Sequence, residues 1–402
     1  MARLLPLLAV LLAVSAAQAG VRTAPAAPSV SGPRTTTSQE PAFAFRAAGA
    51  VRFLCAFDSP SLHACTARYS QWLTVGSHVL RVQAVSRAGA RSRVVSVTVA
   101  VTSSTGLYTD LNVRVGRGAG VPAVDGGSVW VPDTGDGTVV HFDVASKRVV
   151  ATIKLGTPPT IGGYLDSAVA AGGSIWVARD SGGEVDRIDP ATNRLVARIP
   201  VAARPGGLAA GGGYVWAFHF ADSTVTRIDA ATNAKREFTV SDGTGTGIAY
   251  VDGAVWVLYA AHDALIKLDP ATGAVLTRIQ IDHPAPAKHS IVNTWWLAAG
   301  GGSLWAVDPN FDTVTRVDPA TGKVAATIPV PLEQPFGIAY GDGAAWVGGA
   351  GRVVRVDRAT NTVTGTIVLT PSQPIFTQVV AGDSGLWATD YDAGRLYHLH
   401  TG

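Results

Sequence analysis

Ser174-Ile175-Trp176-Val177, Tyr214-Val215-Trp216-Ala217, Ala254-Val255-Trp256-Val257 and Ser303-Leu304-Trp305-Ala306 are one motif written four times. Trp130, Trp346 and Trp387 extend it to seven, at spacings of 46, 40, 40, 49, 41 and 41 residues. A period of 40 to 50 residues with four short apolar runs per unit is the signature of a β-propeller. In the third unit those runs are Pro205 to Ala210, Tyr214 to Phe218, Thr224 to Asp229 and Lys235 to Val240. The turn before the fourth run is Asp189-Pro190-Ala191-Thr192-Asn193 in one unit and Asp269-Pro270-Ala271-Thr272-Gly273 in another. In such a turn Asp accepts downstream amides, Pro presets φ, and Asn or Gly takes the left-handed position. The seventh unit stops at Tyr397-His398-Leu399-His400 without an outer run, while residues 111 to 115 precede the first unit without a partner. Placing 111 to 115 in the last blade closes a ring of seven and removes an open edge.

Working outward, the composition agrees with this reading. The 402 residues are 47% hydrophobic and 15% charged, with 45 Gly and 23 Pro, which is hard to fit into long helices. Residues 1 to 19 carry Arg3, an apolar run from Leu4 to Val14 and Ala17-Gln18-Ala19, the pattern of a cleaved export leader. That run is too short to span a bilayer, so no membrane span is expected. Residues 20 to 40 read as a linker. Residues 41 to 102 alternate apolar and polar in short runs, a small β-sandwich, and 107 to 402 hold the repeats. Cys55 and Cys65, ten apart in an exported chain with no third Cys, are expected to form a disulfide. From 20 to 101 nine Arg face Glu40 and Asp58, whereas from 102 onward 22 basic residues face 27 acidic ones. Interleaved aromatics are missing from the basic part, which argues against nucleic acid; the charge reads either as ordinary surface arginine or as attraction to an anionic surface such as a cell wall.

Two resemblances add to this. The stretch Phe53-Leu54-Cys55-Ala56-Phe57-Asp58, with Gly76-Ser77-His78 and Ala88-Gly89, resembles a bacterial immunoglobulin-like module. Val225-Thr226-Arg227-Ile228-Asp229, and Ile188 to Asn193 with Val196 to Val201, resemble YVTN-type propellers and the neighbouring streptogramin (virginiamycin B) lyase superfamily. The expected fold is therefore all-β, a seven-bladed β-propeller behind an immunoglobulin-like sandwich. The second resemblance implies a His and a Glu with Mg²⁺ at the channel mouth. Here the Pro-His-Gly-Ile of those lyases reads Pro335-Phe336-Gly337-Ile338, and no Glu stands at the expected place.

Function is sought where the repeats differ. The repeated Trp and Asp are explained by packing and turns. Three residues after each Trp stand Asp133, Arg179, His219, Tyr259, Asp308, Gly349 and Asp390, read either as solvated loop residues or as a ligand or cation site. The longest connection begins at Asp282 and carries His283, His289, Asn293, Trp295 and Trp296. Adjacent Trp outside the common register either suit ligand contact or plug the channel. The expected binding set is Trp295, Trp296, His289, His219, Tyr259 and Asp308, with Asp133, Asp308 and Asp390 as candidate ligands of a divalent cation, Mg²⁺ or Ca²⁺. The leading expectation is a secreted, monomeric bacterial protein whose rim binds an extracellular small molecule, glycan or protein without catalysis. The alternative is a divergent lyase or hydrolase in which His219, His289 and Glu333 are the catalytic candidates.

Overall fold

The computed structural model describes residues 23–156, 167–180, 182–202, 204–220, 222–240, 245–259, 263–281, 287–289, 296–370 and 376–401. Every regular element among them is a strand. The chain divides into two compact units: one comprises residues up to Thr36, Pro41–Gln71 and Gly76–Ala100, the other Thr37–Glu40, Trp72–Val75 and everything from Val101.

The N-terminal unit holds two sheets. Ser29–Ser31, Ala42–Arg46 and Arg68–Ser70 form the smaller, and Thr35–Thr36, Val95–Val101, Gly76–Val85, Arg52–Phe57 and His63–Cys65 the larger. Alternation makes the core: Phe43, Phe45, Phe53, Leu80, Val82 and Val99 point inward, and Phe43 meets Phe57 edge to face. Cys55 and Cys65 are disulfide-bonded across the neighbouring strands Arg52–Phe57 and His63–Cys65, with α-carbons 6.0 Å apart.

The second unit is seven four-stranded antiparallel sheets, the arrangement of a β-propeller. Each inner strand lies beside the next, and Thr377–Gly382 of the last sheet returns to Ala123–Asp125 of the first, so the ring closes. Seven apolar clusters fill the seven crevices between blades. In one, Trp176 and Ile199 of blade 2 meet Val215 and Ile228 of blade 3. In another, Trp387 and Leu396 of blade 7 meet Val129 and Phe142 of blade 1. All seven repeated Trp are at most 1% exposed, so they are packing residues, and in four blades the indole N–H donates to the carbonyl five residues back, as Trp176 does to Ala171 at 3.0 Å. In blades 1, 2, 3 and 5 a basic side chain eleven residues after the Trp covers the ring and reaches the next blade's turn. Arg187 lies 5.1 Å over Trp176 and bonds Asn233 at 2.9 Å, while His141 stacks on Trp130 and bonds Asn193 at 2.7 Å. The Asp-led turns form as the sequence dictates: Asp189 accepts the Ala191 amide at 2.9 Å, and Asn193 takes φ 56°.

The closing strand is Tyr108–Arg114, a few residues earlier than the 111 to 115 read from sequence. It pairs antiparallel with Arg395–His400, Leu111 opposite His398. Blade 7 thus takes its outer strand from the chain segment that precedes blade 1.

Candidate functional site

The seven residues that distinguish the blades end the second strand on one rim, and they are not solvated. Asp133, His219, Tyr259, Asp308 and Asp390 are at most 2% exposed and Arg179 is 8% exposed. Strand pairing continues through these positions, so each side chain enters the crevice towards the preceding blade rather than a loop. Asp133 accepts the amides of Arg117 at 3.2 Å and Gly118 at 2.9 Å. His219 sets Nε2 against the Thr226 hydroxyl at 2.8 Å, and Tyr259 packs with Phe218 and Ile266. Asp308 accepts the Asn310 amide at 2.8 Å, and Asp390 the Ala393 amide at 3.0 Å. Burial pushes the Asp308 carboxyl up to about 7, helped by the neighbouring charges of Asp263 and Asp312. Burial raises Asp133 to about 6 and Asp390 in the same direction. Among the described residues no group of three or more His, Cys, Asp or Glu side chains gathers where it could hold a metal ion.

Trp295, His283 and Asn293 lie outside the described residues. Trp296 opens the inner strand Trp296–Gly300 and, with Gln378, Leu297, Ile338 and Val379, lines a cavity of about 250 Å³ bounded by the inner strands. It is a channel-wall residue that also packs against the cluster between blades 5 and 6.

A second place on the same rim brings charged chemistry together. The loop from the second to the third strand of blade 5 ends at Asp312, which holds φ 54°. The matching residue is Gly137, Gly183, Gly351 and Gly394 in four other blades, each also at positive φ. Its carbonyl serves the same bond in all: Val330 N reaches Asp312 O at 2.9 Å just as Leu155 N reaches Gly137 O at 3.0 Å. A side chain at a left-handed position costs about 1 kcal/mol that glycine avoids. At blade 5 the side chain has a use. Asp312 accepts the Gln334 amide at 3.0 Å, the Lys288 ammonium at 3.2 Å and His289 Nε2 at 3.2 Å. Lys288 and His289 are themselves strapped to the Asn310 carbonyl through their amides, at 2.7 and 3.1 Å. One carboxylate therefore ties three rim segments, and beside it opens a cleft of about 350 Å³ lined by Lys288, Asp312, Leu332, Glu333 and Arg352. A carboxylate accepts only, so the proton of neutral His289 sits on Nε2 and the lone pair on Nδ1. The His289 side chain is 26% exposed. Two sequence candidates, His289 and Glu333, thus share one region of the rim, whereas His219 is sealed in the crevice between blades 2 and 3. Asp312 was missed by the sequence reading; comparing the residue before each third strand shows it as an Asp where glycine prevails.

A family model described as Glutamine cyclotransferase matches residues 172–334, fewer than half of the 402. The match contains His289, Asp312 and Glu333. No curated protein matches the chain. Among solved structures it is similar to Kuenenia stuttgartiensis hydrazine synthase, with TM-score 0.56 at 15% identity over 74% of this chain and 97% of that one, a likeness that bears on the fold alone. The family match overturns two expectations. A binding or scaffold role without catalysis conflicts with similarity to an enzyme family, and so does a streptogramin lyase, whose His and Glu this chain lacks. The physical reason for the first error is that buried rim positions were weighed as a ligand surface, while His289 was read as one residue of a Trp-bearing connection and its ion-pair partner Asp312, in the next loop, was not read at all.

Proposed function

We propose that the protein is an enzyme of the cyclotransferase type, acting on a glutamine whose α-amine is free. The observation that carries this reading is the His289–Asp312 pair, held at a left-handed residue where four other blades have glycine, inside the stretch that resembles glutamine cyclotransferases. The α-nitrogen attacks the side-chain amide carbon, a five-membered lactam forms, the carbon–nitrogen bond to the amide nitrogen breaks, and ammonia leaves. One proton must travel from the attacking amine to the departing nitrogen. His289 Nδ1 takes it and returns it, while Asp312 fixes the tautomer and stabilises the transient imidazolium. Arg352 and Lys288 supply positive charge for the oxyanion that develops on the amide carbonyl.

The test is ammonia release from a peptide that begins with glutamine, against the spontaneous reaction. Acceleration that disappears in His289→Asn supports the reading. No acceleration, or full activity in that variant, sinks it.

On the same footing we read the ring as a YVTN-type seven-bladed propeller over residues 107 to 402 and the N-terminal unit as immunoglobulin-like over 41 to 102. The supports are the repeated motifs quoted above and the two-sheet alternation of the smaller unit. Residues 1 to 19 are read as an export leader, which puts the enzyme outside the cell; the linker expected over 20 to 40 is corrected, because Ser29–Ser31 and Thr35–Thr36 pair as strands in the two sheets of the N-terminal unit.

A further inference from the structure

The propeller site makes no use of the charge carried by the N-terminal unit. Between residues 20 and 101 every basic residue is arginine, and the acids are Glu40 and Asp58. Five of those arginines collect at one end of the unit. Ala42–Arg46 finishes there, and after a turn closed by Ala50 N to Ala47 O at 3.2 Å the strand Arg52–Phe57 starts there. Gly76–Val85 ends beside it, with Arg52 opposite Val85. The connection that follows bears Arg87, Arg91 and Arg93, and is pinned back by Ser92 N to Ala84 O at 2.9 Å and by the Val85–Arg91 bridge. Arg46, Arg52, Arg87, Arg91 and Arg93 are all exposed, and none makes an ion pair among the described residues. Asp58, the acid of this unit, sits past the far end of Arg52–Phe57, held by His78 Nδ1 and the Val79 amide, both at 2.7 Å. Among the arginines stand two bare apolar side chains, Val51 at 63% and Val94 at 45% exposure. No aromatic residue lies in 47–52 or 86–94.

We infer that this end is a peripheral docking surface for a bilayer carrying anionic phospholipid headgroups. Guanidinium forks match phosphate oxygens in pairs, which a lysine ammonium cannot do. Exposed Val51 and Val94 beside Arg52 and Arg93 give the apolar contact that an interfacial binder uses at the headgroup boundary. A soluble phosphate polymer would engage the arginines but leave the valines idle, and a nucleic acid would lack aromatic rings to stack on. The inference is independent of the proposed cyclotransferase activity.

The experiment is co-sedimentation of the full chain with phosphatidylcholine vesicles, with and without phosphatidylglycerol, and with inorganic polyphosphate as competitor. Binding is expected to the anionic vesicles alone and to weaken with salt. Each Arg→Gln change should weaken partitioning roughly fivefold, so Arg87→Gln with Arg91→Gln and Arg93→Gln together costs roughly a hundredfold. Arg34→Gln, near the other end where its carbonyl meets the Ala100 amide, should change nothing. Val51→Ser with Val94→Ser should weaken vesicle binding and spare polyphosphate binding. Failure to partition into anionic vesicles overturns the proposal. Equal loss from Arg34→Gln would make the effect one of net charge, and wild-type partitioning of the valine variant would make the surface a phosphate-polymer site; either result also overturns it.

Discussion

Replacing Asp308 by Asn should stabilise the protein, and by an amount that depends on pH. The carboxyl is fully buried and raised from 3.8 to about 7, chiefly by that burial. A raised value means that between those limits the folded chain keeps a proton the unfolded chain has lost. The associated stability is fully present below the unfolded value and disappears as pH rises through the folded one. At roughly 1.4 kcal/mol per unit, a rise of about three units sets a ceiling of about 4 kcal/mol lost by pH 8, of which about 2 to 3 kcal/mol goes between pH 5 and pH 8. Asparagine has no proton to lose, and its carbonyl still accepts the Asn310 amide. Urea unfolding followed by tryptophan fluorescence should therefore show the variant close to wild type near pH 4 and more stable by up to about 4 kcal/mol near pH 8. Asp186, fully buried and raised to about 6, adds to the same trend. An Asp308→Asn variant that loses stability equally at both pH values would refute the reasoning, because the carboxylate would then be valued in its charged form.

Three further outcomes are expected. Asp312→Gly should leave the ring folded, since four blades carry glycine there, with melting shifted by only a few degrees as relief of about 1 kcal/mol of backbone strain offsets lost hydrogen bonds; cyclisation should nevertheless fall by about 10²-fold or more, measured as ammonia release. Reducing Cys55–Cys65, or replacing both with Ser, should cost the N-terminal unit about 2 to 3 kcal/mol while calorimetry shows the propeller transition unmoved, because the ring contains no Cys. Deleting residues 108–114 should leave Arg395–His400 as an open edge and produce concentration-dependent aggregation by light scattering.

The ring was legible because it is redundant. Seven Trp at one register, six turns with Asp before a left-handed residue, and a strand missing at one end and spare at the other all constrain the same closed arrangement. Any one could be accidental, but a wrong blade count would break them together. The rim was less legible for a related reason. Whether Asp133 or Asp308 is a loop residue or a strand end turns on a single position of register, and one-residue boundaries are where pattern reading is weakest. The consequence is large: one step inward changes a solvated carboxylate into one whose proton affinity burial raises towards the neutral range.

Asp312 shows what kind of signal was overlooked. Residue types such as His and Trp attract notice by themselves, whereas an Asp in Phe311-Asp312-Thr313-Val314 looks like any turn residue. Its meaning comes from the column it occupies, in which Gly137, Gly183, Gly351 and Gly394 are the other blades' answer to a left-handed backbone. A repeat protein provides its own internal controls: positions where every blade agrees report the fold, and a position where one blade accepts a costlier residue reports what that blade does besides fold. By that criterion Ser223 at the same position in blade 3 carries no such cost, and Asp263 of blade 4, at φ 48°, does. Asp263 also faces Asp308 closely enough to raise its carboxyl. Blades 4 and 5 therefore carry the two acids that stand at left-handed positions in this column, and Asp312 is the one that lines the cleft with Lys288, Glu333 and Arg352.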